Sequence, residues 1–261
     1  MKKIIVIPFF LLLCFQLSVS AFNAPPVRSW FTIRVYHFKD VHQEKRIDSF
    51  LRDGLLPALH RQGINKTGVF KPIANDTASL KKIYVLIPFA SVVQMAELPA
   101  RLEKDKVYLN ATSSFVSAPY NDAPFLRMET IFLHAFELMH GIGSPVFKSR
   151  PEERIYELRS YESATESLYR NKVKMFNAGG EIDIFKMLGF NAVFYGEVIA
   201  GSRMPNLMYM TSFENQASRD AHWKSFSNDP AWKELSPQPV YKNNVSRNET
   251  ILMHPAPYSE L

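Results

Sequence analysis

Cysteine is almost missing from this chain: Cys14 is the only one in 261 residues. It lies inside an apolar N-terminal run, so a chain that loses that run has no disulfide framework, no thiol nucleophile and no thiolate metal site. Familiar chemical signatures are missing too. There is no His-Glu-x-x-His pair, Walker loop, Gly-x-Ser-x-Gly elbow, dinucleotide fingerprint or Cys-x-x-Cys-His haem attachment. Metal and nucleotide chemistry are therefore unsupported, and neither a metal nor a resident cofactor is expected, although a non-covalent haem would need no local motif. A dense basic run is also absent. The formal charge of +6, falling to +4 (6 − 2) without Lys2 and Lys3, gives little reason to expect nucleic acid as a partner.

The one long apolar stretch, Ile4 to Phe15, follows Lys2 and Lys3 and ends before Val19, Ser20 and Ala21. That is the layout of a secretory leader, residues 1–21, cleaved near Ala21. A bilayer span needs about 20 apolar residues, and Gln16 and Ser18 interrupt this run early. The expectation is export to a periplasmic or extracellular space, without stable membrane insertion after cleavage. The sequence leaves homo-oligomer formation open.

What is present is the same module written twice. Phe31 to Tyr36 and Tyr156 to Tyr161 align at an offset of 125 (159 − 34). Further landmarks follow in one order: Gly63 to Asn65 with Gly189 to Asn191, and Ile83 to Phe89 with Leu207 to Phe213. Asp105 to Tyr108 then meets Asp229 to Trp232, and Glu129 to His134 meets Glu249 to His254. Landmarks repeated in order indicate a duplication. Trp30 to Phe38 alternates as a strand, and Ile47, Leu51, Leu55 and Leu59 recur at helical spacing until Gly63. Strands are expected at 64–73, 82–89 and 126–134, with a helix after Ser91. The second copy repeats this order, its first helix broken near Gly179 and Gly180. The pattern β-α-β-β-α-β predicts an α+β chain of two ferredoxin-like units, 28–139 and 152–261, joined by a linker over 140–151. Each unit leaves one sheet face bare, and packing the two bare faces together makes an intramolecular dimeric α/β barrel.

The motifs of the second copy carry a family resemblance. Tyr156 to Tyr161, Ser218 to Phe226 and Asp229 to Leu235 closely resemble the NIPSNAP family, which belongs to the dimeric α/β-barrel superfamily. The first copy is a degenerate relative, with Thr32 where the second has Glu157 and Pro99 where it has Trp223. The resemblance implies a barrel and little about chemistry. Its superfamily includes cofactor-free monooxygenases, isomerases, haem enzymes and proteins without known activity, so fold analogy does not select a function.

Strand alternation nominates a site. If Phe31, Ile33 and Val35 meet the helices, then Arg34 and Tyr36 face the barrel, as do Glu157, Arg159 and Tyr161 at the same parity. Asn191, Tyr195 and Glu197 share one parity on a later strand. Asn177 and Glu181 flank the Gly-Gly break, which would either turn them inward or leave them as local caps. Such a set could hold a small polar or anionic molecule between the copies. It could equally pair internally and fill the barrel. Three classes stay open: a small-molecule-binding protein, a cofactor-independent monooxygenase or isomerase, and a structural or interaction protein. In the enzyme reading Arg159 stabilises an oxyanion and Tyr195 or Glu197 moves a proton. The Glu157, Glu197 and Gly-Gly features of the second copy predict a pocket lined chiefly by that copy, with Arg34 the exception.

Overall fold

The computed structural model describes residues 27–261; the leader, 1–21, lies outside the described residues. Eight antiparallel strands close into a barrel. They are β1 (Trp30–Phe38), β2 (Gly68–Pro72), β3 (Lys81–Phe89), β4 (Arg127–Ala135), β5 (Ile155–Glu162), β6 (Asn191–Ala200), β7 (Asn206–Phe213) and β8 (Arg247–Pro255). Their order around the barrel is β1-β3-β2-β8-β5-β7-β6-β4. Each half of the chain thus supplies four adjacent strands in the order fourth, first, third, second. Registers repeat as well: Val35 lies opposite Glu129 in the first half, and Ser160 opposite Glu249 in the second.

The helices lie outside the barrel. In the first half α1 (Val41–Ser49) continues through a π-helical stretch, Phe50–Leu55, into α2 (Leu56–Arg61), and α3 (Val92–Leu102) and α4 (Lys106–Val116) follow β3. The second half has α5 (Glu166–Phe176), α6 (Glu181–Met187), α7 (Gln216–Asn228) and α8 (Pro230–Leu235). Short polar side chains start them at equivalent places. Ser91 and Asn215 accept from the backbone N–H three residues on, and Asp105 and Asp229 do the same, satisfying donors that the first turn leaves open. Gly180, at φ 90°, supplies the left-handed residue that separates α5 from α6.

β2 is shorter than the alternation of 64–73 predicts, and the C-terminal residues bond backbone groups at and just before its start. Glu260 accepts from the Thr67 N–H at 2.7 Å, and Ser259 Oγ accepts from the Val69 N–H at 2.9 Å. The linker is tied down by the Gly143 N–H donating to Val193 O at 2.8 Å. A Cβ on Gly143 would come within 2.1 Å of the Ala192 carbonyl oxygen, so this close approach needs glycine.

Three apolar layers result, and they reverse the expected facing of the strands. Phe31, Ile33, Val35, Tyr156 and Leu158 pack inside the barrel with Phe194, Met208 and Met210. Tyr36 and Phe38 instead join Phe50, Leu51 and Phe115 beneath the first-half helices, and Tyr195 and Tyr209 join Phe176 and Phe185 beneath those of the second. Arg34, Glu157, Arg159 and Tyr161 therefore face helices rather than the interior. The physical reason is that the closed interior offers few polar partners, so the more apolar parity goes there. Helices can bring polar side chains to meet buried charge.

Candidate functional site

The second-half candidates form a closed polar cluster. Glu157 is fully buried and takes four hydrogen bonds: from Arg159 Nε at 2.6 Å, Arg219 Nε at 2.8 Å and Nη2 at 3.2 Å, and Trp223 Nε1 at 2.7 Å. Burial pushes its carboxyl up, but the bonds from Arg219, Arg159 and Trp223 outweigh that and hold it below the usual range. Arg159 also donates to the Tyr161 hydroxyl at 3.1 Å and lies under the Trp223 ring at 3.8 Å. The Tyr161 and Tyr209 hydroxyls are 2.9 Å apart. Every group that could bind an anion here is already answered by the chain itself.

The remaining candidates of this half are dispersed. Glu181, 2% exposed, pairs with Lys172 at 2.7 Å; burial raises its carboxyl, with Lys172 offsetting part of the effect. Asn177 donates to Val173 O at 2.9 Å and accepts from the Leu138 N–H at 3.2 Å. Both residues that flank the Gly-Gly break are thus engaged within the chain. A register shift between Ala192 and Phe194 puts Val193 and Phe194 both inside the barrel, so the expected common face of Asn191 with Tyr195 and Glu197 is lost. Glu197 is held by Arg28 at 2.7 Å and by the Tyr169 hydroxyl at 3.2 Å. Tyr195 is buried and its hydroxyl has no partner among the described residues; burial and the charge of Glu181 raise it, which keeps it protonated and a weak proton donor. His134 stacks on Trp30 at 4.0 Å and His254 bonds the Arg154 carbonyl at 2.9 Å.

The first half differs. Arg34, half-buried, has no ion pair among the described residues; the side-chain group beside it is the Tyr36 hydroxyl. It faces a cavity of about 380 Å³ walled by Tyr36, Phe50, Phe115, Tyr120 and Phe125. Burial raises the Tyr36 hydroxyl, and the neighbouring Arg34 charge offsets part of that. Among the described residues the lining holds, apart from Arg34, no carboxylate, lysine or histidine. Lys71, aligned with Glu197, is paired with Glu44 at 2.8 Å and Asp48 at 2.7 Å and takes no part.

A second cavity, about 370 Å³, opens at one end of the barrel between the halves, with Val35, Tyr84 and Glu129 on one side and Ser160, Arg203 and Glu249 on the other. Its carboxylates are already engaged: Glu129 with His37 at 2.6 Å, and Glu249 with Arg203. Arg203 does stand at this mouth. Burial, together with Glu249 and Glu129, raises the Tyr84 hydroxyl.

Sequence reasoning missed Arg219, Lys172 and the first-half aromatic wall, and it read Trp223 only as a packing anchor. Arg219 and Trp223 are four apart on α7, a spacing that puts both on one helix face. That signal was available once a buried carboxylate was expected nearby. Among the described residues no group of three or more His, Cys, Asp or Glu side chains is gathered for a metal ion. No described helix is long and apolar enough to cross a membrane.

Residues 156–260 match the NIPSNAP family model. No curated protein matches the sequence. Among solved structures, the chain resembles a protein of Fusobacterium nucleatum described as a "putative monooxygenase". The two share 8% identity over 88% of this chain and 93% of the other, with a TM-score of 0.60. A protein of Lactobacillus acidophilus with the same description is 12% identical over 87% and 94%, with a TM-score of 0.53. A NIPSNAP family protein of Agrobacterium tumefaciens is 18% identical over 41% of this chain and 98% of its own, with a TM-score of 0.37. At such identities the two long matches establish the shared α+β barrel and no activity.

Proposed function

We propose that this protein binds a small organic anion in the cavity beneath the first-half helices, with Arg34 as its anchor. One observation carries the reading: among the described residues Arg34 has no carboxylate partner and keeps only Tyr36, where the equivalent Arg159 has Glu157, Tyr161 and Trp223. A half-buried guanidinium without a counter-ion beside aromatic walls is costly to hold, and an anionic ligand relieves that cost. The two halves, read as duplicated ferredoxin-like units, then divide the labour. The second is filled by its own side chains, and the first keeps an opening. On this reading the ligand lies under the first half, rather than in a pocket lined chiefly by the second. The cavity lies within the range that suits small-molecule sites, about 300–1,000 Å³. Export of the mature chain, with cleavage near Ala21, belongs to the same proposal; the mass of the mature N-terminus tests it.

The enzymatic alternative, a cofactor-independent monooxygenase or isomerase, draws on fold likeness alone. Among the described residues the first-half cavity has no carboxylate or imidazole to accept a proton, which favours binding over proton-transfer chemistry. A purely structural role fits the filled barrel but leaves Arg34 unexplained. Mass spectrometry of small molecules carried by the purified native protein tests the reading. An anion should accompany the wild type and be lost from Arg34→Ala with folding intact. An unchanged set of carried molecules in Arg34→Ala would remove Arg34 as anchor.

A further inference from the structure

We infer that the ligand of the first-half cavity is a flat aromatic monocarboxylate, a narrowing that rests on the reading of Arg34 as its anchor. The second half records what an arginine at this strand position takes as partners. Arg159 has a carboxylate oxygen at 2.6 Å, a tyrosine hydroxyl at 3.1 Å and an indole face at 3.8 Å. In the first half, the positions of Glu157, Trp223 and Arg219 are held by Thr32, Pro99 and Met95. Only the tyrosine, Tyr36, is retained. Thr32 is too short to reach as a counter-ion, and its buried hydroxyl has no partner among the described residues. The groups lost between the two halves are one negative charge for the guanidinium and one ring.

The walls select for the same two features. Phe50 and Phe115 stack at 4.1 Å and Phe125 meets Tyr36 edge-on at 5.6 Å, so the lining presents ring faces and edges to an occupant. Aromatic surfaces prefer offset or edge contacts with another ring, in addition to the area they bury. A rigid ring also loses less conformational freedom on entry than an acyl chain of equal size. Arg34, the one cation among the described lining residues, answers a single negative charge. A phosphate monoester or dicarboxylate would bring a further charge to a lining whose described residues hold no second cation. The cavity is open to solvent at its rim, where Tyr120 is 98% exposed, so entry needs no unfolding of the barrel.

Calorimetric titration of the full mature chain with 2-naphthoate, octanoate and 2-naphthyl phosphate tests the assignment. 2-Naphthoate should bind most tightly. Arg34→Met should weaken it roughly 10–100-fold, the range expected for a lost charge-assisted hydrogen bond. Thr32→Glu, which installs the carboxylate of the second half, should abolish binding without lowering the melting temperature; if it does not fold, Arg34→Met alone carries the test. Octanoate binding as tightly as 2-naphthoate, with the same dependence on Arg34, would overturn the aromatic class and leave the anion site standing. A preference for 2-naphthyl phosphate would overturn the monocarboxylate. Binding of none of the three, or binding indifferent to Arg34→Met, would overturn both this inference and the anchor reading beneath it.

Discussion

Replacing Glu157 by glutamine should destabilise this protein more than any exposed ion-pair substitution, and the structure gives the size. The carboxylate is fully buried and receives four hydrogen bonds from two guanidinium groups and one indole. Glutamine keeps the volume but removes the charge, and turns an NH₂ toward a ring of donors. Breaking a buried pair by removing one partner costs about 3–5 kcal/mol. Arg159 and Arg219 keep 20% and 19% of their side-chain surface in water, so solvent recovers part of that and the lower end, about 3 kcal/mol, is expected. For a chain of this size that is a fall of about 6–12 °C in melting temperature. Urea unfolding of Glu157→Gln, Arg219→Met and the double variant would measure the coupling directly. Glu197→Gln is the internal control: its partner Arg28 is 22% exposed and Glu197 itself 24%, so its loss should be smaller. A cost for Glu157→Gln below about 1 kcal/mol, the level of a solvated surface pair, would refute the view that this cluster is what fills the second half.

Two further outcomes follow from buried charge. Because Glu157 titrates below the ordinary carboxylate range when folded, its contribution is fully present above the unfolded value, near 4.3, and is lost as pH falls through the depressed folded value. The stability gap between wild type and Glu157→Gln should stay constant from about pH 8 to 5 and close below about pH 4; a gap unchanged at pH 3 would contradict it. Lys172→Met strands Glu181 in a buried site and should cost about 3–5 kcal/mol at neutral pH. The cost should shrink on acidification, since the folded carboxyl is raised and stability from it is lost as pH rises, not as it falls. Lys172→Met combined with Glu181→Leu should restore most of the loss in urea unfolding, and a double variant as weak as the single would refute the pairing.

Much of this molecule is written in local pattern. Alternation in Trp30 to Phe38, helical spacing in Ile47 to Leu59 and the paired caps Ser91/Asn215 and Asp105/Asp229 each need only neighbouring residues to be read. The repeated landmarks carry the matching of strand order and register between the two halves. Facing was beyond that reach. Alternation says that Arg34 and Phe31 lie on opposite sides of a strand; which side meets helices depends on where the chain can supply partners for charge, and α7 supplies Arg219 and Trp223 from some 60 residues away. The shift at Ala192 and Phe194 is similarly silent in the sequence, because a bulge changes side-chain facing without changing composition. Glu157 and Arg159 could be read as a pair from their spacing alone. That the same arginine is answered in one half and left facing an aromatic cavity in the other was decided only by packing, where a threonine and a proline cannot reach what a glutamate and a tryptophan do.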